Sequence, residues 1–363
     1  MKKKIVLTGG GTAGHVIPNI AIIPKLRSKG YEIIYIGSKD GIENKLIESE
    51  NIKYYGISTG KLRRYFDLNN FKDPFKVLKG IFEASRILKK EKPNIIFSKG
   101  GFVAIPVILG AFKNKIPVIS HESDITPGLA NKISIPFIKK ICATFPETKN
   151  FINENKLEFT GTPIRNCLFL GSKDEGIKIC GFNNGKPNVM VMGGSQGSVF
   201  INNMIRKNLN NLLSKFNVIH ICGKNNLDKS LNDTKGYIQY EYVNDEQAHL
   251  FKVSDVVISR AGSNSIHELL ALKKPNILIP LSRKASRGDQ LLNSKSFKDR
   301  GFSEVIEEEE LTNFYILMSR LEDVYSNKEK YIKNMEVEHD DPIDKIVNIL
   351  DKYSKWKKGE FNF

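Results

Sequence analysis

Short runs of apolar residues recur along the chain, and amphipathic helical patterns separate them. In the first part of the chain, the runs are Lys4–Thr8, Ile33–Ile36, Asn94–Ser98, Pro117–Ser120 and Ile141–Thr144. The alternation restarts after residue 163, with runs at Asn188–Met192, Asn217–Cys222, Asp255–Ser259 and Asn276–Pro280. Continuous apolar strands alternating with helices are typical of parallel sheets covered on both faces. The pattern therefore predicts an α/β fold.

The chain has 363 residues, which is longer than a single hydrophobic core usually supports. The Pro- and Gly-containing stretch near residues 160–187 connects the two series of strands, so we predict one domain over residues 1–162 and a second over 163–341. Pro342 begins a final amphipathic helix. The apolar stripe of that helix consists of Ile343, Ile346, Val347, Leu350 and Tyr353.

Two of the predicted strands end in glycine-rich turns that open a helix. The first turn is Gly9–His15 and the second is Gly193–Gly197. Glycines allow a sharp turn and a close approach of a ligand, and the following helix presents unpaired N–H groups. Such turns suit a phosphate or diphosphate, and two of them predict two nucleotide-type domains that face one cleft.

Two common nucleotide-binding classes do not fit the first turn. The second strand ends in Gly37-Ser38-Lys39, where a dinucleotide-binding domain usually carries an acidic residue. The Gly-Lys-Ser/Thr signature of a P-loop is also missing from the sequence. The pattern therefore argues against a dehydrogenase and against a P-loop nucleotidase.

A second set of polar residues lies in the C-terminal half. Glu268 follows another strand and turn, where its carboxylate would accept hydrogen bonds from a ribose diol. The alternative is structural, because Ser265 and Glu268 have the spacing of a capping box. Asp289 and Gln290 follow the strand Asn276–Pro280 and either bind sugar hydroxyls or begin another helix.

His15 is the best candidate for proton transfer, since it follows a phosphate-type turn directly and a histidine titrates near neutral pH. His121 lies near another strand end. The sequence contains no Asp-x-Asp, and no His, Cys or Asp cluster has the spacing of metal ligands. We therefore expect no metal site and no cofactor.

The formal net charge is +16, and nearly all of the excess lies in the first half. Residues 1–160 carry 27 Lys and Arg against 14 Asp and Glu. Such a surface attracts nucleic acid, an anionic membrane or a phosphorylated substrate. A general bias of the genome toward Lys is the alternative explanation of the charge. The longest apolar stretch, Val103–Phe112, is too short to span a bilayer.

Taken in order, the motifs resemble one known family over nearly the whole chain. The matching elements are Gly10–His15, Gly100–Val103, His121–Asp124, Gly161–Arg165, Gly193–Gly197, Ser259–Glu268 and Asp289-Gln290. The family is the undecaprenyl-diphospho-muramoylpentapeptide β-N-acetylglucosaminyltransferase (MurG) family. The resemblance implies two Rossmann-like domains across a cleft (the GT-B arrangement), with the final helix, residues 342–363, packed back onto the first domain.

The resemblance also implies an activity, namely inverting transfer of N-acetylglucosamine from UDP-N-acetylglucosamine to the 4-hydroxyl of the muramoyl sugar of lipid I, which yields lipid II for peptidoglycan. The enzyme would dock peripherally on the cytoplasmic face of the cell membrane and meet other cell-wall synthesis proteins. The first domain would bind the acceptor and the second the donor.

The resemblance assigns roles to individual residues. In the second domain, the Val243 backbone would bind uracil, Glu268 the ribose and Gln290 the sugar. The residues of the diphosphate side would be Ser195, Gln196, Ser263 and Asn264. The residues that close over the donor from the first domain would be Thr12, Ala13, Gly14 and Arg165. The residues of the acceptor side would be Gly100, Gly101 and His121.

Two positions depart from the family pattern. Ala13 replaces a common glycine, and Asp124 stands where many members have Asn. Asp124 would then contact the donor sugar as a carboxylate, and it is the rival of His15 as catalytic base.

For the membrane surface we predict the segment Lys61–Phe82, in which basic and apolar residues alternate. The basic residues are Lys61, Arg63, Arg64, Lys72, Lys76 and Lys79. The alternative is that the apolar residues from Phe75 onward form the core face of a helix.

Three other functions compete with this one. A lipid glycosyltransferase that acts on diacylglycerol and a UDP-N-acetylglucosamine epimerase share the two-domain architecture. The epimerase needs several acidic residues around the sugar. Nucleic-acid binding rests on charge alone, without aromatic stacking motifs or a recognisable module, so we expect no nucleic-acid partner.

Overall fold

A computed structural model describes residues 3–60, 73–194, 196–283, 287–336 and 341–355 of the chain. The chain divides into two compact units. Unit 1 comprises Met1–Arg165 together with His339–Phe363, and unit 2 comprises Asn166–Glu338. The predictions for Ser195, Arg63, Arg64 and Lys72 concern residues outside the described ranges.

Unit 1 is built on a parallel sheet whose described strands number seven. The strands are β1 Lys4–Thr8, β2 Glu32–Ser38, β3 Lys53–Ile57, β4 Ile95–Ser98, β5 Val118–Glu122, β6 Lys140–Ala143 and β7 Leu157–Phe159. Their order across the sheet is β3-β2-β1-β4-β5-β6-β7. The internal strands are buried on both faces, as continuous apolar runs require.

Helices cover both faces of this sheet. They are α1 Ile17–Ser28, α2 Ile42–Glu48, α3 Asp73–Glu91, α4 Ala104–Lys113 and α5 Leu129–Ser134. On one face, α1 packs against the side chains of Ile5 and Leu7. On the other face, α3 and α4 cover Val6 and Ile34. Successive side chains of β1 thus point to opposite faces of the sheet, as expected for a β-strand.

Unit 2 repeats the architecture with a second parallel sheet, of which the structure describes six strands. They are β8 Asn188–Met192, β9 Asn217–Ile221, β10 Tyr237–Tyr240, β11 Val256–Ser259, β12 Asn276–Leu278 and β13 Glu304–Val305, in the order β10-β9-β8-β11-β12-β13. The helices are α6 Lys173–Cys180, α7 Val199–Lys207, α8 Leu209–Lys215, α9 Gln247–Val253, α10 Ser263–Ala271, α11 Asp289–Asp299, α12 Phe314–Ser326 and α13 Lys328–Met335.

The final helix, α14 Pro342–Ser354, belongs to unit 1. Pro342 occupies a first-turn position, and the Asp341 carboxylate accepts a hydrogen bond of 2.8 Å from the Ile343 N–H, so the helix start is capped. All five residues of the predicted apolar stripe are buried in the core that contains α1 and β1. The helix therefore completes one face of the first sheet.

Each sheet has a point where the strand order reverses, between β1 and β4 in unit 1 and between β8 and β11 in unit 2. In open parallel sheets, ligands bind outside the carboxyl ends of the strands at such a point. The two glycine turns predicted from the sequence follow β1 and β8. Both turns therefore lie at a topological switch point.

Candidate active site

Polar side chains from neighbouring elements hold the first glycine turn in place. The buried Asn19 of α1 donates from Nδ2 to the carbonyl O of Thr8 and to the Tyr35 hydroxyl, both at 3.2 Å. The Tyr35 hydroxyl in turn donates to the carbonyl O of Gly9 at 2.7 Å. These bonds satisfy buried backbone groups that a turn cannot pair by itself, so they fix its path.

A fully buried carboxylate also supports this turn. Glu43 accepts hydrogen bonds from the N–H groups of Gly11, at 3.2 Å, and Ser38, at 2.9 Å, and from the Ser38 hydroxyl. A Cβ atom at Gly10 would lie 2.5 Å from the Glu43 Cδ, so only glycine fits there. The prediction that this turn cradles a phosphate therefore needs correction. Glu43 already uses the Gly11 amide, and its carboxylate disfavours a second anion.

The loop after β4 packs against the first glycine turn. Gly100 and Gly101 both have positive φ, at +85° and +79°. A Cβ atom at Gly101 would lie 2.4 Å from the carbonyl O of Gly10 and 3.0 Å from the His15 Cδ2. Any larger residue at Gly101 would displace the turn or the His15 ring. The two loops thus form one surface at the switch point of unit 1.

His15 lies on a single 3-10 turn, Ala13–His15, that precedes α1. Its backbone N–H donates to the carbonyl O of Thr12 at 3.1 Å. Thr12 is exposed, and Ala13, Gly14 and His15 are half-buried, so all four lie at the accessible edge of the sheet. This is the position that the predicted roles in substrate binding and proton transfer require.

The loop after β5 carries Asp124, and the buried carboxylate of Glu122 organises it. Glu122 accepts from the backbone N–H of Asp124 at 3.1 Å and of Gly128 at 2.9 Å. It also accepts from the Asn131 Nδ2 at 2.8 Å. Burial raises the pKa of Glu122, and the nearby Asp124 charge raises it further. Asp124 itself is half-buried and lies at the same edge as His15.

His121 requires a correction. Its side chain is fully buried, and its Nε2 lies 2.9 Å from the carbonyl O of Gly161. The imidazole ring joins the end of β5 to the loop that follows β7. Because the ring is fully buried, the acceptor substrate cannot reach it. The predicted acceptor contact of His121 is therefore wrong for this arrangement. Arg165, also predicted to contact the donor, is half-buried at the end of the first segment of unit 1.

The second glycine turn connects β8 to α7. Gly194 and Gly197 have positive φ, and a Cβ atom at Gly197 would lie 1.9 Å from the carbonyl O of Cys222. Ser198 caps α7, since its Oγ accepts from the Ile201 N–H at 3.3 Å. Gln196 is exposed on this turn, in keeping with a ligand contact.

A buried arginine that the sequence analysis did not single out lies beside the second turn. Arg260 follows β11, and its Nη2 donates to the Ser198 Oγ at 2.8 Å. Its Nη1 donates to the carbonyl O atoms of Ile279 and Pro280, and the guanidinium forms an ion pair with Glu308. Because Glu308 balances its charge and these acceptors use its N–H groups, the buried guanidinium is a structural support that joins the second turn to the ends of β11 and β12.

The helix that carries Glu268 begins earlier than a capping box allows. Gly262 is the N-cap of α10, and Ser265 is the third residue of the helix, so it cannot cap the helix. The capping-box interpretation of Glu268 is therefore wrong. Glu268 and Asn264 are half-buried, whereas Ser263 is buried and its carbonyl O lies 2.8 Å from the His267 Nδ1.

The remaining donor-side residues lie near the carboxyl ends of other strands in unit 2. Asp289 and Gln290 begin α11, and the Gln290 Oε1 accepts from the Leu281 N–H at 3.0 Å. Asp289 forms an ion pair with Arg287 at 2.7 Å. Val243 follows β10 and is buried. The structure thus gives Gln290 a positioning hydrogen bond in addition to its predicted role.

Neither metal ligands nor a membrane span is found in the described part of the chain. Across those ranges, no three or more His, Cys, Asp or Glu side chains are grouped as a metal site. Within the same ranges, no helix is both long and apolar enough to cross a membrane.

Two family profiles match the chain, one over each half. The profile of the glycosyltransferase family 28 N-terminal domain matches residues 5–143, and that of the family 28 C-terminal domain matches residues 188–348. The chain belongs to glycosyltransferase family 28. Each profile contains one glycine turn and one switch point, so the family and the geometry identify the same two regions.

Curated family 28 relatives match over almost the entire chain. A protein of Clostridium tetani (strain Massachusetts / E88) is 62% identical over 358 residues, which are 98% of this chain and 100% of the relative. One of Clostridium novyi (strain NT) is 60% identical over 98% of this chain and 99% of the relative. Both are named UDP-N-acetylglucosamine–N-acetylmuramyl-(pentapeptide) pyrophosphoryl-undecaprenol N-acetylglucosamine transferase. The resemblance to the MurG family is confirmed.

Solved structures support the family 28 fold. The crystal structure of Acinetobacter baumannii MurG aligns with a TM-score of 0.75 at 24% identity, covering 96% of this chain and 99% of that one. A putative UDP-N-acetylglucosamine 2-epimerase from Listeria monocytogenes aligns over the full length of both chains with a TM-score of 0.72 at 11% identity. At these identities the likeness concerns the fold alone, and the predicted fold class of two Rossmann-like units is confirmed.

Proposed function

We propose that this chain transfers N-acetylglucosamine from UDP-N-acetylglucosamine to N-acetylmuramyl-(pentapeptide) pyrophosphoryl-undecaprenol, a step of peptidoglycan precursor synthesis. The observation that carries the proposal is the 62% identity to a relative with that name over 98% of this chain and 100% of the relative. We further propose that the transfer inverts the anomeric centre and that the acceptor is the 4-hydroxyl of the muramoyl sugar.

The donor is assigned to unit 2. Its glycine turn, with Gly194 and Gln196, lies at the carboxyl ends of β8 and β11 and suits a diphosphate. Glu268 lies on the helix that follows β11, where its carboxylate is suited to a ribose diol. The Val243 backbone and Gln290 complete the assignment with uracil and sugar, respectively.

The acceptor and the proton transfer are assigned to unit 1. His15 and Asp124 lie at the carboxyl edge of the first sheet, one on the loop after β1 and the other on the loop after β5. His15 is the proposed general base toward the acceptor hydroxyl, and Asp124 is the alternative. Because Glu43 uses the Gly11 amide, the charge of the leaving UDP is assigned to the second turn and not to both turns.

We expect the reaction to proceed without a metal ion. The proposed diphosphate site consists of the backbone N–H groups of the second glycine turn, which stabilise the leaving group without a carboxylate-bound cation. The rate with UDP-N-acetylglucosamine and a lipid I analogue should remain within about twofold after treatment with excess EDTA. Loss of activity in EDTA, restored by added Mg²⁺ or Mn²⁺, would contradict this expectation.

The same assay separates the proposed function from the related activities. Lipid I analogue and diacylglycerol are offered separately as acceptors, with UDP-N-acetylglucosamine or UDP-glucose as donor. The proposal expects transfer only in the reaction that combines UDP-N-acetylglucosamine with the lipid I analogue. Glucosylated diacylglycerol would indicate the lipid glycosyltransferase, and formation of an epimeric UDP-sugar without an acceptor would indicate an epimerase.

A membrane-docking surface is proposed on α3 of unit 1, at the cytoplasmic face of the membrane. Phe75 and Phe82 are 74% and 67% exposed, and Leu78 between them is 54% exposed. The alternative that the apolar residues from Phe75 onward form the core face of a helix is therefore wrong for these three side chains. Exposed lysines accompany them, since Lys76 lies on the same helix and the Lys113 Nζ lies 5.4 Å from the centre of the Phe82 ring.

Charge reversal tests this surface. Each basic residue near an anionic leaflet contributes about 1 kcal/mol, so reversing Arg63, Arg64, Lys72 and Lys76 to Glu should weaken binding to vesicles with anionic lipid at least ~100-fold. A soluble acceptor analogue should still be glycosylated. The control variant reverses four exposed lysines of unit 2, Lys207, Lys224, Lys229 and Lys235. If only the control variant is released from vesicles, the docking surface lies on unit 2.

A further inference from the structure

A buried lysine lies directly beneath the first glycine turn, and none of the roles assigned above uses it. Lys99 immediately follows β4 and is only 1% exposed. Its backbone N–H donates to the carbonyl O of Thr8 at 2.8 Å, and its Nζ forms a hydrogen bond with the Ser123 Oγ. Burying an ammonium group is costly unless opposite charge and hydrogen bonds compensate it.

The compensating charge comes from the loop that carries Asp124. Ser123, the partner of Lys99, lies between Glu122 and Asp124 in sequence. The Glu122 carboxylate is almost fully buried and accepts from the backbone N–H of Asp124, and the Asp124 charge raises the pKa of Glu122. Two neighbouring carboxylates raise each other's pKa, and a nearby cation opposes that effect. Lys99 is a cation that reaches this loop.

The electrostatics agree with the geometry. Burial lowers the pKa of Lys99 to about 8, whereas the charges of Glu122 and Asp124 act to raise it. Cys142 also faces Lys99, but burial raises the pKa of that thiol to about 12, so the thiol is neutral at physiological pH. Lys99 is thus mostly charged at pH 7, with Glu122 and Asp124 as the acidic groups that face it.

We propose that Lys99 is a positioning residue for Asp124. The buried Lys99 ammonium anchors Ser123 and balances the acidic charge of the loop after β5, so that Asp124 stays fixed at the edge of the site. The inference rests on the proposed function, in which Asp124 contacts the sugar or the acceptor. It gives a physical reason why a carboxylate is tolerated at position 124.

A double-mutant cycle tests the proposal. Lys99→Met leaves the two carboxylates without a cation, and we expect kcat to fall at least ~30-fold with a protein that still folds. Asp124→Asn removes one negative charge while preserving the shape of the side chain. In the double variant the loss should be at least about tenfold smaller than the product of the two single losses. Losses that simply multiply would overturn the proposal.

Lys156 provides the matched control. Burial also lowers its pKa, and its Nζ donates to the carbonyl O of Ile135 at 2.8 Å, but it precedes β7 at the amino edge of the sheet. Lys156→Met should change kcat by less than about threefold and show no coupling to Asp124→Asn. If Lys156→Met were coupled to Asp124→Asn as strongly as Lys99→Met is, the loss of kcat would reflect general destabilisation of the protein.

A second measurement does not depend on activity or on the folding of Lys99→Met. Burial lowers the pKa of both Lys99 and Lys274 to about 8, so lysine ε-carbon NMR of the full chain should show two resonances titrating near pH 8, and the one lost in Lys99→Gln belongs to Lys99. In Asp124→Asn the pKa of that lysine should fall by about half a unit or more, because a neighbouring negative charge has been removed. An unchanged titration would overturn the proposal.

If the wild-type chain makes no lipid II, the proposed function fails. If the wild-type chain is active and the losses of the two single variants simply multiply, only the role of Lys99 is refuted.

Discussion

The His15→Ala variant is expected to lose about 10²–10⁴-fold in kcat, with little change in the KM for UDP-N-acetylglucosamine. General-base catalysis accounts for the magnitude, since the acceptor hydroxyl must lose its proton as the new bond forms. The structure supports the assignment by placing His15 on the exposed edge of the first glycine turn, against Gly101. Steady-state kinetics at saturating lipid I analogue measures the effect.

His15→Gln is the informative companion. Glutamine keeps a hydrogen-bonding side chain of similar reach but cannot accept the proton near neutral pH. If His15 acts as the base, the glutamine and alanine variants should be similarly slow. If His15 only binds the donor diphosphate, the alanine variant should have a raised KM for the donor and a normal kcat, and glutamine should restore that KM. Normal turnover of both variants at saturating substrates would remove His15 from the mechanism and leave Asp124 as the candidate base.

The Glu268→Ala variant is expected to raise the KM for UDP-N-acetylglucosamine roughly 10- to 150-fold, which corresponds to about 1.5–3 kcal/mol for a charged hydrogen-bond acceptor. The thermal stability should barely change. Because Gly262 caps α10 and Ser265 lies inside the helix, removing the Glu268 side chain breaks no capping box. Alanine is also at least as favourable as glutamate in a helix. Donor titration and a thermal melt on the same preparation measure the two effects.

Glu175→Ala provides the control for this variant. Glu175 is an exposed residue of the same unit that pairs with Lys178 on α6 at 2.7 Å. Its loss should leave the KM for the donor unchanged. A Glu268→Ala protein with a lowered melting temperature and a normal KM would mean that Glu268 stabilises the helix and does not bind the ribose.

The internal strands could be predicted from the sequence because burial on both faces makes them continuous apolar runs. All nine predicted runs are confirmed as strands within two residues of their observed ends. Four further strands, β3, β7, β10 and β13, were not predicted. They lie at or near sheet edges, where half-exposed positions such as Tyr54 and Gln239 interrupt the apolar pattern, and β13 has only two residues. A short edge strand carries too little periodicity to be recognised.

The location of the candidate site could be predicted from the sequence, whereas the buried charged residues that hold its loops in place could not. Both glycine turns and His15 follow strand ends, so their proximity to the carboxyl edges follows from the parallel topology alone. Glu43, Lys99 and Arg260 were missed because a charged residue in a sequence normally indicates an exposed surface. Each has a partner that is distant in sequence: Gly11 lies 32 residues from Glu43, Ser123 lies 24 from Lys99 and Ser198 lies 62 from Arg260. Only tertiary structure reveals such pairs.

The most direct test of the account is product analysis of one reaction. The full-length protein is incubated with UDP-N-acetylglucosamine and a lipid I analogue, and the product is examined by mass spectrometry and by NMR of the anomeric centre. The account predicts a single N-acetylglucosamine, β-linked to the 4-hydroxyl of the muramoyl sugar, together with free UDP. A lipid I analogue recovered unchanged beside intact or epimerised donor would contradict it.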